Sequence, residues 1–377
     1  MYIVLLALWF IFNGRCTLDV FCFGLVACAI GQMVCRPILI MVGDEGHILT
    51  LAERYSRIYF GGAPFLALTN FCIAIFRAKG DTQTPLMVLS VSGIFNVAMN
   101  LFFVLVCGLS VEGVALATAM ANALSAVVLL TKLCRDSGWC KVQLRKIRFH
   151  WRSFRDIIYV GIPAAVQGAL FSLSNMIIQS SVVRVNNRLY PGGSAVIDGN
   201  SAADNLSSFA YTLTNSVYQA SVTFVSQHYG AGKYKRIGKV MANCYLITVL
   251  TALISGGITV GFQRFFLGLY VRDPAAIDVG VLRTCILMST YSFLAVMEVG
   301  SGILRGMGKS ITSTVISLMG ACAFRALWIM VVFEKFQTLE SIYWSYPISW
   351  ILTAAVNFTV GQILWRKLCK KEVLPAE

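Results

Sequence analysis

Glu298 is the one acidic residue that lies well inside an apolar segment of the C-terminal half of the chain. A charged side chain near the bilayer centre costs about 2.5–3.5 kcal/mol on insertion scales, so it is rare and indicates an ion-coupling or ligand site. A carboxyl group in such surroundings can take up and release a proton. The alternative is a structural ion pair, with Arg325 of the next apolar segment as the expected partner. The two interpretations agree if protonation of Glu298 breaks the pair.

Two stripes of polar side chains precede Glu298. One recurs every four residues, which places it on one face of a helix: Gln167, Phe171, Asn175 and Gln179. The other has spacings of three and four residues beside Tyr211 and Tyr218: Ser208, Thr212, Asn215, Gln219 and Thr223. Amides that face lipid are costly, so both stripes are expected to point inward. They predict either a water-filled substrate cavity or hydrogen bonds between helices. Asn96 and Asn100 form a shorter pair in the N-terminal half.

The composition requires a membrane around these residues. Of the 377 residues, 57% are hydrophobic and only 13% are charged, whereas soluble domains carry about 25% charged residues. One globular core cannot bury this much apolar surface. The formal net charge of +14 lies in short loops between apolar segments. There it indicates membrane topology and not nucleic-acid binding.

The sequence predicts no metal site, no disulfide framework and no enzyme. The twelve cysteines lie mostly in apolar runs without a C-x-x-C pair, and the three histidines are far apart. This pattern is typical of small packing residues. A nucleophile triad is not visible, and GAGKYKR at 230–236 is not a phosphate-binding loop. We therefore expect no cofactor.

Ten apolar segments are long enough to cross a bilayer as helices, which needs about 20 residues each. They are predicted at 20–42, 57–76, 85–107, 112–133, 157–183, 204–226, 240–262, 284–304, 312–333 and 342–365. The fold class is therefore an all-α polytopic membrane protein. The sequence divides into an N-terminal lobe (1–133), a basic linker (134–156) and a C-terminal lobe (157–377). The linker is expected to lie as an amphipathic segment on the membrane surface, with a solvated loop as the alternative.

A duplication relates the two lobes. Residues 65–84 (FLALTNFCIAIFRAKGDTQT) return 228 positions later as residues 293–312 (FLAVMEVGSGILRGMGKSIT). Each copy contains a short basic turn with glycine between two apolar runs. The turn residues shared by both copies are Arg77, Gly80, Arg305 and Gly308. The glycines are expected to form tight turns, and the arginines to lie at the cytoplasmic interface. A repeated hydrophobic unit is typical of membrane transporters with two similar halves.

Positive charge predicts which side each loop faces. The loops after the even-numbered spans, together with the C-terminal tail, hold 20 Lys and Arg residues and only five acidic residues. Because positively charged loops stay in the cytoplasm, these loops and the C-terminus are predicted to be cytoplasmic. Both repeated turns fall on that side, so the lobes are predicted to be parallel repeats and not inverted ones.

The lobes have unequal numbers of predicted spans, four in the first and six in the second. If both follow a six-span plan, two helices are missing before the first span. Residues 1–12 are too short to cross a bilayer. They also lack the basic region and cleavage site of a signal peptide. We therefore expect the chain to be truncated relative to a twelve-helix plan.

These features together resemble the multidrug and toxic compound extrusion (MATE) family. Five segments carry the resemblance, in order along the chain: FRAKGDTQTP (76–85), EGVALATAMAN (112–122), VGIPAAVQ (160–167), SQHYGAGKYKRIGK (226–239) and ILRGMGKS (303–310). The resemblance implies a twelve-helix exporter driven by inward proton or sodium movement. It also implies an acid in the first helix of one branch and a glutamate in the seventh helix of another. The first two helices of that plan are expected to be missing here, and residues 165–175 contain no acid.

The sequence thus predicts a secondary active antiporter that exports organic cations or other amphipathic drugs or metabolites, with H⁺ or Na⁺ as coupling ion. It is expected to be a monomer, surrounded by the lipid of the plasma (inner) membrane. The predicted coupling residues are Glu298 and Arg325. The predicted cavity residues are Gln167, Asn175, Gln179, Tyr211, Thr212, Asn215 and Gln219.

Two alternatives to the antiporter stay open. One is a lipid-linked saccharide flippase of related architecture, which should have a strongly cationic cavity for its pyrophosphate. Intramembrane arginines are few, namely Arg36 and Arg264 near span ends and Arg325, so a cationic substrate is favoured. The other alternative is a non-functional truncated fragment. The sequence specifies neither the substrate nor the coupling ion.

Overall fold

The computed structural model describes residues 16–42, 47–136 and 151–373, and within these ranges every regular element is a helix. In chain order the helices are α1 (Cys16–Val42), α2 (His47–Gly61), α3 (Ala63–Lys79), α4 (Gln83–Val106), α5 (Val111–Arg135), α6 (Trp151–Leu189), α7 (Ala195–Gly230), α8 (Tyr234–Gly261), α9 (Gln263–Gly268), α10 (Pro274–Ser289), α11 (Tyr291–Gly306), α12 (Ser310–Phe336) and α13 (Leu339–Val373).

Most of these helices can cross a bilayer. Within the described ranges, seven are long and apolar enough by themselves, and two bent pairs raise the number to nine. All ten predicted spans fall on helices. Nine of them correspond to the nine possible crossings. The tenth, predicted at 204–226, lies within α7, which carries a polar stripe and is not among those nine. The predicted all-α polytopic class is confirmed.

Two predicted spans were wrong in extent. The spans at 57–76 and 284–304 each cover only the end of the first helix and most of the second helix of a bent pair, α2 with α3 (45°) and α10 with α11 (51°). The sequence criterion missed the first parts because α2 and α10 carry charged residues, which shorten their apolar runs.

The chain divides into two compact units, Tyr2–Ile157 and Ile158–Glu377. Most of the predicted linker, at 137–150, lies outside the described residues, as do residues 1–12, and the last part of the linker belongs to α6. The core of the N-terminal unit consists of Leu68, Cys72, Ile73, Ile75, Phe76, Val88, Ala126, Leu129 and Leu133. In the C-terminal unit a large cluster includes Val182, Met288, Tyr291, Met297, Ile329, Ile342, Tyr343 and Trp350.

The two basic turns have the same backbone structure. Gly80 and Gly308 have φ of 90° and 76°, in the left-handed region that glycine enters without steric cost. The amide of each glycine donates to the carbonyl three residues earlier, from Arg77 or Arg305. The amide of the following residue donates five residues back in both copies. This pair of hydrogen bonds is the Schellman motif that ends many helices.

Other features of the backbone recur at the spacing of the sequence repeat, to within one residue. The breaks of the two bent pairs lie at Gly62 and Thr290, which are 228 positions apart. A π-helical turn ends α4 at Phe102–Val106, and another lies at Ile329–Phe333 in α12. A further π-helical turn in α12, at Leu318–Ala323, has no counterpart in α4. The sequence repeat therefore corresponds to a repeated backbone structure in the two units. The second unit has one additional π-helical turn.

Helix α11 is the packed centre of the C-terminal unit. It lies against α7, α8 and α13, and most of its residues are buried. At Gly302 the contact with α7 is so close that an added Cβ would lie 2.5 Å from Ser221 Oγ and 2.9 Å from the Tyr218 ring. Small residues allow such close helix approach in membranes. This packing holds the polar face of α11 in a fixed position.

Candidate substrate cavity

A cavity of about 1060 Å³ lies inside the C-terminal unit. Side chains from α6, α7, α10, α11, α12 and α13 form its wall. Polar and aromatic groups share this wall with a few aliphatic side chains. Because every lining residue comes from the C-terminal unit, the cavity is a property of that unit alone.

The predicted stripe on α6 lies along the cavity. Its lining residues are Gln167, Phe171, Asn175 and Gln179. Two of the amides are also bonded to neighbouring helices. Gln167 Oε1 accepts hydrogen bonds from Arg305 (2.6 Å) and Thr314 (3.1 Å), and Gln179 Oε1 accepts one from Asn200 at 3.1 Å. The stripe thus combines the two arrangements that the sequence left open.

The predicted stripe on α7 also lines the cavity, with exceptions. Its lining residues are Ser208, Tyr211, Asn215, Tyr218 and Gln219. Thr212 is exposed and outside the lining, and its hydroxyl donates to the Ser208 carbonyl at 2.9 Å. A helix turns about 100° per residue, so Thr212 lies at the edge of the face formed by Tyr211 and Asn215. The prediction for Thr212 was therefore wrong, and Thr223 lies outside the lining for the same reason.

Three cavity amides have unused hydrogen-bonding groups. Among the described residues, no side-chain hydrogen bond is formed by Asn175, Asn215 or Gln219, all of which line the cavity. An amide carries two donors and an acceptor with two lone pairs. These three side chains can therefore bond to a molecule in the cavity without breaking a contact within the protein.

Glu298 lies on the cavity wall, on a stripe of α11 with spacings of three and four residues. The lining residues of this stripe are Tyr291, Leu294, Glu298, Ser301 and Arg305. Glu298 is half-buried, and within the described part of the chain no ion pair or hydrogen bond joins its carboxyl group to another side chain. It is thus an unpaired carboxyl group at the wall of a polar cavity.

The expected ion pair between Glu298 and Arg325 does not form. Arg325 Nε donates to Ser349 Oγ of α13 at 2.9 Å. Further along α13, Asn357 Nδ2 donates to the carbonyl of Met297, next to Glu298. Ser349 and Asn357 are eight residues apart, which is about 12 Å along a helix. Arg325 is therefore held about two turns away from Glu298, and the predicted pairing was wrong.

Arg305 lies in the cavity wall, whereas the sequence placed it at the membrane interface. Its Nη1 donates to the Tyr218 hydroxyl at 2.9 Å and its Nη2 to Gln167 at 2.6 Å. Its buried Nε has no hydrogen-bond partner among the described residues. Arg305 is seven residues from Glu298, so both side chains project from the same face of α11.

Arg283 was missed by the sequence analysis. It is 4% exposed, lines the cavity from α10, and forms an ion pair with Asp204 of α7. Its Nη1 also donates to the Asn200 carbonyl at 2.6 Å. The predicted span of 284–304 excluded both Arg283 and Arg305 by one residue. Because the predicted span was one residue too short at each end, the sequence analysis did not assign two of the three cavity arginines to the cavity.

The cavity wall carries more positively charged than negatively charged side chains. Three guanidinium groups line it, those of Arg283, Arg305 and Arg325, against the carboxyl groups of Asp204 and Glu298. Asp204 is already paired with Arg283. Arg305 and Arg325 are bonded to neutral groups. The cavity is therefore more cationic than the sequence predicted.

The matching residues of the N-terminal unit have different surroundings. Asn70, at the position of Glu298, is exposed, and Arg77 is half-buried without a hydrogen bond or ion pair among the described residues. Asn100 donates to Asn96 at 3.1 Å, and Asn96 donates to Thr118 at 3.5 Å. The predicted Asn pair thus forms a small hydrogen-bonded group within its own unit.

The sequence profile of the MatE family matches residues 14–102 and 163–331, which is more than half of the chain. The chain belongs to the MATE family. MATE proteins are membrane transporters, so the prediction that this chain is not an enzyme is confirmed. The match includes both bent pairs and most of the helices that line the cavity.

Among curated MATE relatives, the probable multidrug resistance protein NorM of Thermotoga maritima is 24% identical over 301 residues, covering 78% of this chain and 62% of NorM. The chain thus spans less than two thirds of the length of that relative. The multidrug export protein MepA of Staphylococcus aureus (strain NCTC 8325 / PS 47) is 22% identical over 350 residues, covering 92% of this chain and 74% of MepA.

A solved structure of a MATE protein has the same fold. The crystal structure of MATE in complex with MaL6 matches 98% of this chain and 86% of its own with a TM-score of 0.81. The sequence identity is 16%, so this similarity concerns the fold alone. It supports the predicted all-α polytopic architecture.

Proposed function

We propose that this chain carries out secondary active export of an amphipathic drug or metabolite, an organic cation or another compound, through the cavity of its C-terminal unit. Inward movement of H⁺ or Na⁺ drives the export, and no other cofactor takes part. The observation that carries the proposal is the unpaired carboxyl group of Glu298 at the wall of a polar, aromatic cavity. Relatives named for multidrug resistance or export support it.

Glu298 is proposed as the group that binds the coupling ion. A carboxyl group in the membrane that is not fixed by an ion pair can exchange a proton or a sodium ion with little rearrangement of the protein. Arg305 projects from the same face of α11 about 10 Å away. Arg325 is not part of the coupling pair in this proposal.

The amides and aromatic rings are proposed to bind the substrate. Asn175, Asn215 and Gln219 offer free hydrogen-bonding groups, and Phe171 and Tyr211 offer apolar surface beside them. Ligand sites of this kind are mostly apolar walls with a few polar groups that fix orientation. Gln167 and Gln179 support this wall through their bonds to other helices.

The remaining features of the proposal concern topology, location and oligomeric state, and the charge pattern supports the topology. The protein is multi-pass, with the C-terminus and the turns at Gly80 and Gly308 in the cytoplasm. The plasma (inner) membrane is its location, membrane lipid surrounds it, and it acts as a monomer. External labelling of a cysteine at Lys79 or Lys309 in sealed cells is expected to fail. Ready labelling from outside would contradict this topology.

The test is gradient-driven transport of an amphipathic fluorescent dye in everted membrane vesicles that contain this chain. Glu298→Gln keeps the shape of the side chain but cannot cycle charge, so transport driven by an imposed proton or sodium gradient is expected to fall to background. Glu298→Asp should keep a part of it. The control Asp278→Asn alters an exposed ion pair outside the cavity and should transport as the unchanged chain does. Full transport by Glu298→Gln, at equal protein in the membrane, would refute the proposal.

A lipid-linked saccharide flippase is the second candidate. The observation in its favour is the set of three cavity arginines, which exceeds what the sequence predicted. A flippase needs cationic groups for a pyrophosphate. Transfer of a polyisoprenyl pyrophosphate between leaflets, without ion-driven dye transport, would support this candidate over the exporter.

A further inference from the structure

Arg325 has an unusual combination of burial and open hydrogen-bonding capacity. It is 4% exposed and lines the cavity. Its Nε donates to Ser349 Oγ at 2.9 Å, and its guanidinium carbon lies 4.4 Å from the centre of the Tyr346 ring. Within the described part of the chain, its two Nη groups have no hydrogen-bond partner. They form a fork of N–H donors on the cavity side.

No carboxylate of the described residues neutralises Arg325. Asp204 is paired with Arg283, and Glu298 is held about two turns away along α11 and α13. A buried charge without a partner is costly. An anionic group that entered the cavity would therefore lower the energy of this site. The guanidinium fork matches the two oxygens of a carboxylate or a phosphate.

The backbone around Arg325 is specialised as well. The π-helical turns at Leu318–Ala323 and Ile329–Phe333 flank the short α-helical segment that carries it. Gly320, in the first of them, lies so close to Thr353 of α13 that a Cβ could not be accommodated. The first of these turns has no counterpart in the N-terminal unit, where Val97 occupies the position of Arg325. Such turns occur often at functional sites, because they redirect side chains.

A row of aromatic rings begins at the guanidinium group, which lies over the Tyr346 ring. Trp350 contacts Tyr291 and Tyr346 edge-to-face, with ring centres 6.2 and 5.9 Å apart. All three rings line the cavity. Offset and edge-to-face packing is the geometry that aromatic ligands use with such rings. The site therefore offers a charged fork beside an aromatic wall.

We infer that Arg325 binds the acidic group, a carboxylate or a phosphate, of an amphipathic aromatic molecule in this cavity. The transport of such a molecule rests on the proposed function, but its binding does not. The ligand then has its acidic end at Arg325 and its aromatic body on Tyr291, Tyr346 and Trp350. Glu298 stays free to bind the coupling ion.

The test compares two dyes that differ in one group. One is an aminoxanthylium dye with a free benzoate, and the other is its methyl ester. Binding to the purified chain in detergent is measured by fluorescence anisotropy without any ion gradient. We expect the acid to bind at least about tenfold more tightly than the ester, because only the acid offers two equivalent, negatively charged oxygens to the fork.

Substitution of Arg325 should remove this preference. In Arg325→Gln the ratio of the two affinities is expected to fall below about twofold, with the ester bound as before. Arg325→Lys keeps the charge without the fork and should give an intermediate ratio, which also covers the case that Arg325→Gln does not fold. Arg264→Gln, which changes an exposed ion pair outside the cavity, should leave the ratio unchanged. Equal binding of acid and ester by the unchanged chain, or an unchanged ratio in Arg325→Lys and Arg325→Gln, would overturn the inference.

Two competitors identify the source of the acidic group. Phenyl phosphate represents a soluble acid, and a polyisoprenyl phosphate in lipid nanodiscs represents a lipid. Displacement of the acidic dye by either one supports the site and identifies its source, and displacement by neither contradicts it. If the acid preference is found but ion-driven transport is not, the exporter fails and the site stands. If transport depends on Glu298 but acid and ester bind equally, the site alone fails.

Discussion

Helices α3 and α11 are two copies of one sequence in two different surroundings. Both follow a sharp bend, both end in a left-handed glycine, and both carry an arginine three residues before that glycine. In α3 the position of Glu298 is an exposed asparagine, Asn70. In α11 the same face lines a cavity. The comparison shows that the two copies share their backbone structure. The side chains to which we assign a function differ between the copies.

The largest difference is expected at Gly302 and its counterpart Ala74. Gly302→Val would force side-chain atoms into Ser221 and Tyr218 of α7. Overpacking of this kind costs about 1–3 kcal/mol or more. Ala74 is exposed, so Ala74→Val should change stability by less than about 0.5 kcal/mol. Thermal unfolding of the chain in detergent measures both variants, and equal effects would contradict the central packing of α11.

The second-largest difference in stability is expected between substitutions of the two repeated arginines, Arg305 and Arg77. Arg305→Ala removes two hydrogen bonds from a charged donor, and each such bond contributes about 1.5–3 kcal/mol before the relief of burying the charge. We expect a net loss of about 2 kcal/mol. Arg77→Ala removes no hydrogen bond among the described residues, and should cost less than about 1 kcal/mol. Hydrogen exchange of α11 and α3 peptides reports each change in its own unit. A larger effect at Arg77 would reverse the comparison.

The two glycines should behave alike. Gly80→Ala and Gly308→Ala each place a Cβ on a residue with φ of 90° or 76°. No neighbouring atom lies within 4 Å of either Cβ, so the cost arises from the backbone alone. A non-glycine residue in this conformation costs about 1–2 kcal/mol. Thermal unfolding should show similar losses for both variants, and a clear inequality would mean that the two turns are not structurally equivalent.

The smallest effect concerns Asp81, which the second copy replaces with Lys309. Asp81 Oδ1 accepts a hydrogen bond from the Thr84 amide at 3.0 Å, and this bond holds the pKa of Asp81 below its ordinary value. A carboxyl group with a lowered folded-state pKa stabilises above its unfolded pKa of about 3.9, and this contribution is lost as the pH falls through the folded value. Asp81→Asn should therefore reduce the fall in stability below about pH 4. An unchanged acid profile in hydrogen exchange of α4 would contradict this.

The sequence by itself determined the class of fold and the repeat that relates the backbones of the two units. Apolar runs of about 20 residues have few alternatives to membrane helices, and a glycine just after a predicted helix indicates a turn. The stripes on α6 and α7 were predicted from helical spacing, because the period of a helix determines which side chains share a face. Thr212 and Thr223 were the exceptions, since the edge of a face depends on the neighbouring helices.

Only the tertiary structure decided how the charges are arranged. The sequence placed Glu298 opposite Arg325, but the hydrogen bonds of α13 hold them two turns apart. It placed Arg305 in a turn and gave Arg283 no role, although both line the cavity. Apolar patterning locates the middle of a span well and its ends poorly, because charged residues at the ends interrupt the run. Whether a charge at such an end enters a cavity depends on the packing of other helices, which no single segment encodes.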